Sequence, residues 1–382
     1  MSQTKAQLLQ GTAAENVTVD NIVTTSVNGG QLSHRNRVIN GAMEINQRAS
    51  SYTATGEEYT LDRFEHRTGS GFTFDTTTTQ STSAPAGFTK SLKITPDSTQ
   101  TPTGSHNGMV AQLIEANNLV GFAHGTSSAK KSVLSFYAKS ASQNNNHQYT
   151  VQLNKLASSG QYYYVNKAFT VTSSWQRFTV AFAADTSNDI TTGTGEGFRI
   201  LFHLAAGSTD IGSEVSTWTA ANGNFAVTGQ SNFMDNTSNE FYLTGVQLEA
   251  SDSDVATDFE HRSFGEELSL CQRYYQRWKG HSDHNGIGAG RGNGSSGVFV
   301  GVNLIQCLRA APSVTNSGIV VFRAGTSSTS TSDTPSLTNA SAFDANMCSF
   351  PLNITGLSGI TNNQGGYTVF LSGSDLQLDA EL

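Results

Sequence analysis

From Arg37 to about Arg262, apolar and polar residues alternate in short runs with the period of two that a half-buried β-strand requires. In "KSVLSFYAKS", Val133, Ser135, Tyr137 and Lys139 share one face, while Leu134, Phe136 and Ala138 share the other. "SWQRFTVAF" sets Trp175, Arg177, Thr179 and Ala181 against Gln176, Phe178, Val180 and Phe182. "EYTLDRFEHRT", "GMVAQLIE", "HQYTVQLNKL", "QYYYVNKAFTV", "GFRILFHLA" and "NEFYLTGVQLE" add further strand signals, and Gly, Asn and Ser punctuate the gaps. Roughly ten such strands with no long helical pattern predict an all-β fold, a jelly-roll β-sandwich over residues 37–262. The absence of long helices argues against a parallel α/β sheet.

The period changes at residue 263. Ser263 is placed to cap a helix, with Glu266 three residues on as the reciprocal member of a capping box. Glu266 and Glu267 suit the positive end of a helix dipole, and Arg273 and Arg277 the negative end. Phe264, Leu268, Cys271, Tyr275 and Trp278 recur at spacings of four and three, so the pattern predicts a helix over 264–278 whose apolar stripe serves a domain or oligomer interface. Residues 263–282 are therefore read as a linking helix. Beyond it, "KGHSDHNGIGAGRGNGSSG" reads as a flexible Gly-rich hinge, and "GVFVGVNLIQCLRAAPSVTNSGIVVFRA", "MCSFPLNITGLSG" and "GGYTVFLSG" predict a smaller β-sandwich domain over 283–382. The run "AGTSSTSTSDTPSLTNAS" is expected to be a surface loop. Residues 1–36 form an arm too short to own a core. Val17, Val19, Ile22 and Val23 favour a partner surface for it, and a frayed terminus is the alternative.

Composition narrows the class. Among 382 residues only 36% are hydrophobic and 14% charged, low for a globular enzyme, while 21 Phe and 11 Tyr supply large core side chains that a disordered chain lacks. A net charge of −8 with no basic patch argues against nucleic acid as a partner. Cys271, Cys307 and Cys348 are odd in number and far apart, which argues against a disulfide framework and fits a reducing cytoplasm. No secretory apolar region and no apolar run near ~20 residues occur, so the expectation is a soluble product made in the cytoplasm, without membrane insertion.

Several clusters invite chemistry. Glu266 and Glu267 resemble an acid and base, but adjacent helical residues point about 100° apart and converge poorly on one bond, whereas capping accounts for them. On that reading Glu267→Gln is expected to be nearly silent. Cys271 is a small hydrophobe in the stripe or a nucleophile with His281 or His284. His281, Asp283 and His284 have metal-ligand character, though a Gly-rich polar loop is the commoner home for such residues, and Asp252, Asp254 and Asp258 have calcium-ligand character but lack the EF-hand Gly and closing Glu. "GIGAGRGNGSSG" lacks the Lys-Ser/Thr of a phosphate loop. No catalytic residue, metal or cofactor is assigned. Tyr162, Tyr163 and Tyr164, with at least one tyrosine on each sheet face, and Trp218 are the candidates for stacking on sugar rings; ordinary core packing is their alternative role.

Taken together, "RVINGAMEINQRASSYTATGEEYTLDRFEH", "LSFYAKS", "SSWQRFTVAF" and above all "QLEASDSDVATDFEHRSFGEELSLCQRYY" resemble a jelly-roll module of bacteriophage tail-fibre and virion structural proteins. "LRAAPSVT" and "LDAEL" resemble the modules that follow it. The resemblance covers most of residues 37–382. It implies a non-enzymatic fibre protein of a phage virion, a homotrimer anchored to other virion proteins through residues 1–36, with residues 283–382 as the exposed tip. In outline the module is also similar to carbohydrate-binding sandwiches, which implies a host-surface glycan as ligand. A capsid-decorating fibre and a glycan-degrading tailspike are the alternatives.

Overall fold

The computed structural model describes residues 33–382 except 222, 224, 281–284, 319, 325–327, 333–335, 340–348 and 371. The predicted alternation becomes two antiparallel sheets. One has six strands in the order Ser51–Ala54, Thr76–Ser81, Ser91–Pro96, Phe241–Ser251, Lys131–Ser140 and Gln176–Phe182. The other has seven, ordered Thr219–Ala220, Tyr162–Thr170, Gln148–Leu156, Glu196–Ala206, Asn107–Glu115, Glu65–Gly69 and Glu58–Tyr59. The chain passes repeatedly between sheets, giving the jelly-roll sandwich. Leu134, Phe136, Ala138, Val180 and Phe182 share its core with Val151, Leu153, Phe198, Ile200 and Phe202 of the seven-stranded sheet. Around Phe136, the rings of Phe169, Phe178 and Phe202 lie 5.1, 5.2 and 5.0 Å away, so edge-to-face and stacked contacts fix the layer spacing. The period-two reading thus grouped onto one face the residues that the structure turns inward.

The helix is shorter than the stripe suggested. It spans Phe264–Gln272, capped by Ser263, whose Oγ accepts from the Glu266 amide at 3.3 Å. Tyr275–Lys279 is instead a strand, antiparallel to Asp375–Asp379, with Tyr275 opposite Asp379 and Trp278 opposite Leu376. "YQRWK" satisfies a strand's alternation as well as a helix's stripe, and pairing with a strand about 100 residues away decides between them. The five stripe residues therefore part company. Phe264 is 62% exposed. Leu268 and Leu270 pack on buried Ile39, Ile45, Cys271 and Tyr274. Tyr275 is buried with the Arg48 guanidinium 3.8 Å above its ring, and Trp278 packs on the core of the second unit. Burial pushes the Cys271 thiol well up, which suits a small hydrophobe rather than a nucleophile.

Glu267 requires a correction. It is only 8% exposed, accepts the Asn40 amide at 2.5 Å and pairs with Arg262 at 3.2 Å. A neutral amide there loses a charge-assisted bond and sets an N–H against one of these donors. Glu267→Gln is now expected to cost about 1–3 kcal/mol in urea unfolding, and an unchanged midpoint would restore the purely capping role.

The C-terminal unit combines a three-stranded sheet, ordered Tyr275–Lys279, Asp375–Asp379 and Ser313–Ser317, with a seven-stranded sheet that includes Asn285–Asn293 and Gly297–Asn303. Two expectations change here. The Gly-rich hinge contains the Asn285–Asn293 strand, and the low-complexity run contains the strands Ser328–Ser332 and Ser336–Asn339. The glycines serve close approach: a Cβ on Gly288 would lie 2.0 Å from the Gly301 carbonyl oxygen, and one on Gly292 2.1 Å from that of Thr361. Because Tyr275–Lys279 already belongs to this unit, the linker ends before residue 275. The chain then returns to the sandwich. Glu381 pairs with Arg63 and with Arg48, the latter at 3.1 Å, and Tyr59 Oη donates to the Leu382 carbonyl at 3.1 Å. Arg63 is 1% exposed, donates to the Leu113 carbonyl at 2.5 Å and lies 3.6 Å above the Tyr274 ring.

Candidate functional site

The outer face of the seven-stranded sheet carries a cleft of about 270 Å³. Register assembles it from strands distant in sequence. Arg67 pairs with Met109, Met109 with His203, Leu201 with Gln152, Arg199 with Asn154 and Asn154 with Tyr164. Met109, Leu201, Gln152, Asn154 and His203 contribute to the lining, with Glu57, Arg67, Tyr162 and Arg199, and with Ala221 and Phe225 from the segment after Trp218.

The polar groups are ordered by one another. His203 Nε2 lies 2.5 Å from Gln152 Oε1, and Gln152 Nε2 donates to Asn154 Oδ1 at 2.7 Å. With the amide nitrogen directed at Asn154, the Gln152 oxygen accepts and His203 Nε2 is the donor. Burial lowers the His203 imidazole to about 4, so it is neutral at physiological pH. Beside it runs an ion ladder. Arg67 meets Glu65 at 2.8 Å and Glu57 at 3.3 Å, and Arg199 meets Glu196 at 2.6 Å. Burial raises the Glu65 carboxyl. Arg199 Nη2 also donates to Tyr162 Oη at 2.9 Å, with the guanidinium 4.7 Å from the centre of that ring. The outcome is a concave, internally hydrogen-bonded surface with one aromatic wall, an apolar strip and side-chain amides.

Only part of the predicted site lies here. Tyr162 lines the cleft. Tyr164 is on the same face but 3% exposed, its ring edge-on to Phe225 at 5.3 Å. Tyr163, the alternate residue between them, and Trp218 lie near the buried Lys155 instead, with Lys155 Nζ 5.7 and 4.8 Å from their rings. Trp218 stacks on the core ring of Phe198 at 5.8 Å and donates Nε1–H to the Ala183 carbonyl at 2.8 Å. Lys155 is fully buried and reaches Asp185 and the Asn188 carbonyl, each at 2.6 Å. Burial pushes the Asp185 carboxyl up, but Lys155 and the Ser187 and Asn188 groups outweigh it and hold it at about 2. That cluster is a satisfied ion pair at the end of the core. Asp252 and Asp254 are engaged by Lys130 and Lys131 at 2.7 and 2.8 Å. His281, Asp283 and His284 lie outside the described residues.

Arg67, Gln152, Asn154, Arg199 and His203 escaped the sequence reading. Their signal is alternate polar positions within "EHRTG", "VQLNK" and "FRILFHLA". A second cavity of about 380 Å³ lies between the units, but its arginines, Arg48 and Arg277, are engaged by Asp379, Glu381 and Asp375.

No family model and no curated protein matches the chain. Among solved structures it is similar to the enzymatically active domain of tailspike protein 4 of bacteriophage CBA120, with 12% identity, 56% of this chain and 21% of that chain covered, and a TM-score of 0.28. It is also similar to the CBM22-1 xylan-binding domain of Paenibacillus barcinonensis Xyn10C, with 10% identity, 60% and 99% covered, and a TM-score of 0.30. For a family 11 carbohydrate-binding module of Clostridium thermocellum the values are 15% identity, 55% and 100% covered, and a TM-score of 0.27. Likeness at these TM-scores carries no functional conclusion.

Proposed function

We propose that this protein is a structural fibre or appendage protein of a tailed-phage virion that attaches to host-surface glycan, with the cleft on the seven-stranded sheet holding the sugar. The observation that carries this reading is the cleft itself: Tyr162 and Leu201 line it with apolar surface for a sugar ring, while Asn154, held by Gln152, lines it with a side-chain amide for the hydroxyls. Binding is favoured over cleavage, because glycoside hydrolysis uses a carboxylic acid and a carboxylate flanking the bond, and Glu57, Glu65 and Glu196 are each engaged by an arginine. The phage assignment rests on the sequence blocks quoted above. Residues 1–36 are proposed as the arm toward other virion proteins. A homotrimer is proposed with Phe264 and its helix facing a second copy.

Titration of the purified protein with host surface polysaccharide tests the cleft. Tyr162→Ala and Arg199→Ala are each expected to weaken binding about tenfold or more, ~1.4 kcal/mol, with the circular dichroism spectrum retained. Undiminished binding in both variants sinks the assignment. Light scattering is expected to give three copies; a monomer refutes the trimer.

A further inference from the structure

Two buried acceptors among the cleft residues have no partner among the described residues: Asn107 Oδ1 and His203 Nδ1. Their residues are 8% and 1% exposed. Each is an acceptor by elimination. Asn107 Nδ2 donates to Asp210 Oδ2 at 3.1 Å, which leaves its oxygen to accept. His203 uses Nε2–H toward Gln152 Oε1 at 2.5 Å, so the neutral ring carries a lone pair on Nδ1. Met109 is directly opposite His203, and Asn107, two residues along the same face, is its diagonal neighbour. Gly69 lets the Asn107 side chain pack against the strand, since a Cβ there would meet Asn107 Oδ1 at 2.4 Å. Buried acceptors of this kind select a ligand that brings donors and discriminate against one that lacks them.

The cleft's charge narrows the ligand further. Among the described residues at the cleft, Glu57, Glu65 and Glu196 stand against Arg67 and Arg199, and both guanidiniums are engaged by them. A ligand carboxylate or sulfate would find no uncommitted cation and would add to an excess of negative charge.

We infer that the cleft selects an uncharged sugar through hydroxyl groups that donate to Asn107 Oδ1 and His203 Nδ1. This rests on the reading of the cleft as a glycan site. The test is calorimetric titration of the full chain with the methyl glycosides of glucose, galactose and mannose, with glucuronic and galacturonic acid methyl glycosides beside them. At least one neutral glycoside is expected to bind, and the uronates to bind at least tenfold more weakly. Removing either of two particular hydroxyls of the bound sugar is expected to cost about tenfold or more. His203→Leu, checked for fold by circular dichroism, is expected to weaken the parent sugar by the same factor and to leave one deoxy analogue no weaker than it is with the unaltered protein. Tight uronate binding, or a His203→Leu loss that persists in full for every deoxy analogue, overturns this inference while the glycan reading survives. No binding by either class, together with no binding of host polysaccharide, overturns both.

Discussion

Arg63→Ala is expected to lower stability by about 3–5 kcal/mol, toward the lower figure because one partner retains a second cation. Arg63 is buried, donates to the Leu113 carbonyl at 2.5 Å, covers the Tyr274 ring at 3.6 Å and pairs with Glu381. Removing it strands a carboxylate whose side chain is 4% exposed, leaving Arg48 at 3.1 Å to compensate. Removing only one partner of a buried pair is more damaging than replacing both with apolar groups, since an uncompensated charge remains out of water. The measurement is denaturant unfolding followed by tryptophan fluorescence, with limited proteolysis to show that the C-terminal unit loosens first. A midpoint equal to that of the unaltered protein would mean the contact contributes nothing.

Lys155→Met should be comparably damaging, by about 3 kcal/mol, because Lys155 neutralises Asp185 at 2.6 Å inside the end of the core. The companion change Asp185→Asn should recover much of the loss, since an amide oxygen still accepts from the Ser187 and Asn188 amides, now at 2.9 and 3.0 Å. The pair also predicts an acid limb. Asp185 is held at about 2 in the fold, below the ordinary value near 3.8, so its contribution is present above pH 4 and is lost as pH falls toward 2. The Lys155→Met/Asp185→Asn protein should lack that component. A double variant no more stable than Lys155→Met alone would show that packing, rather than charge, sets the cost.

The sandwich was legible because each strand carries its own evidence. Leu134, Phe136 and Ala138 declare an inward face without reference to any other segment, and the structure places all three in the core. The helix start was legible for the same reason: Ser263 and Glu266 are three residues apart. Its end was not, because Tyr275 and Trp278 fit two periods, and the deciding partners, Asp379 and Leu376, are far along the chain. The Gly-rich segment misled because composition reports backbone freedom, whereas Gly288 and Gly292 are required by neighbouring carbonyls. The cleft was least legible. Arg67, Gln152, Arg199 and His203 are unremarkable outward polar positions until strand order lays them side by side. Alternation divides Tyr162, Tyr163 and Tyr164 between the two faces, but only strand order shows that Tyr162 meets the cleft and Tyr163 the buried Lys155.

The junction also has a dimension in time. Glu381 is synthesised 318 positions after Arg63 and 333 after Arg48. At roughly 5–20 residues per second, the guanidiniums wait on the order of 15–60 s for their carboxylate. During that interval the sandwich core is available to collapse, but its C-terminal seam carries uncompensated charge. A ribosome that stalls before Asp375 releases a chain lacking both the Asp375–Asp379 strand and the Glu381 anchor. The order of synthesis thus sets the order of closure: the sandwich strands precede the strand and carboxylate that complete the seam.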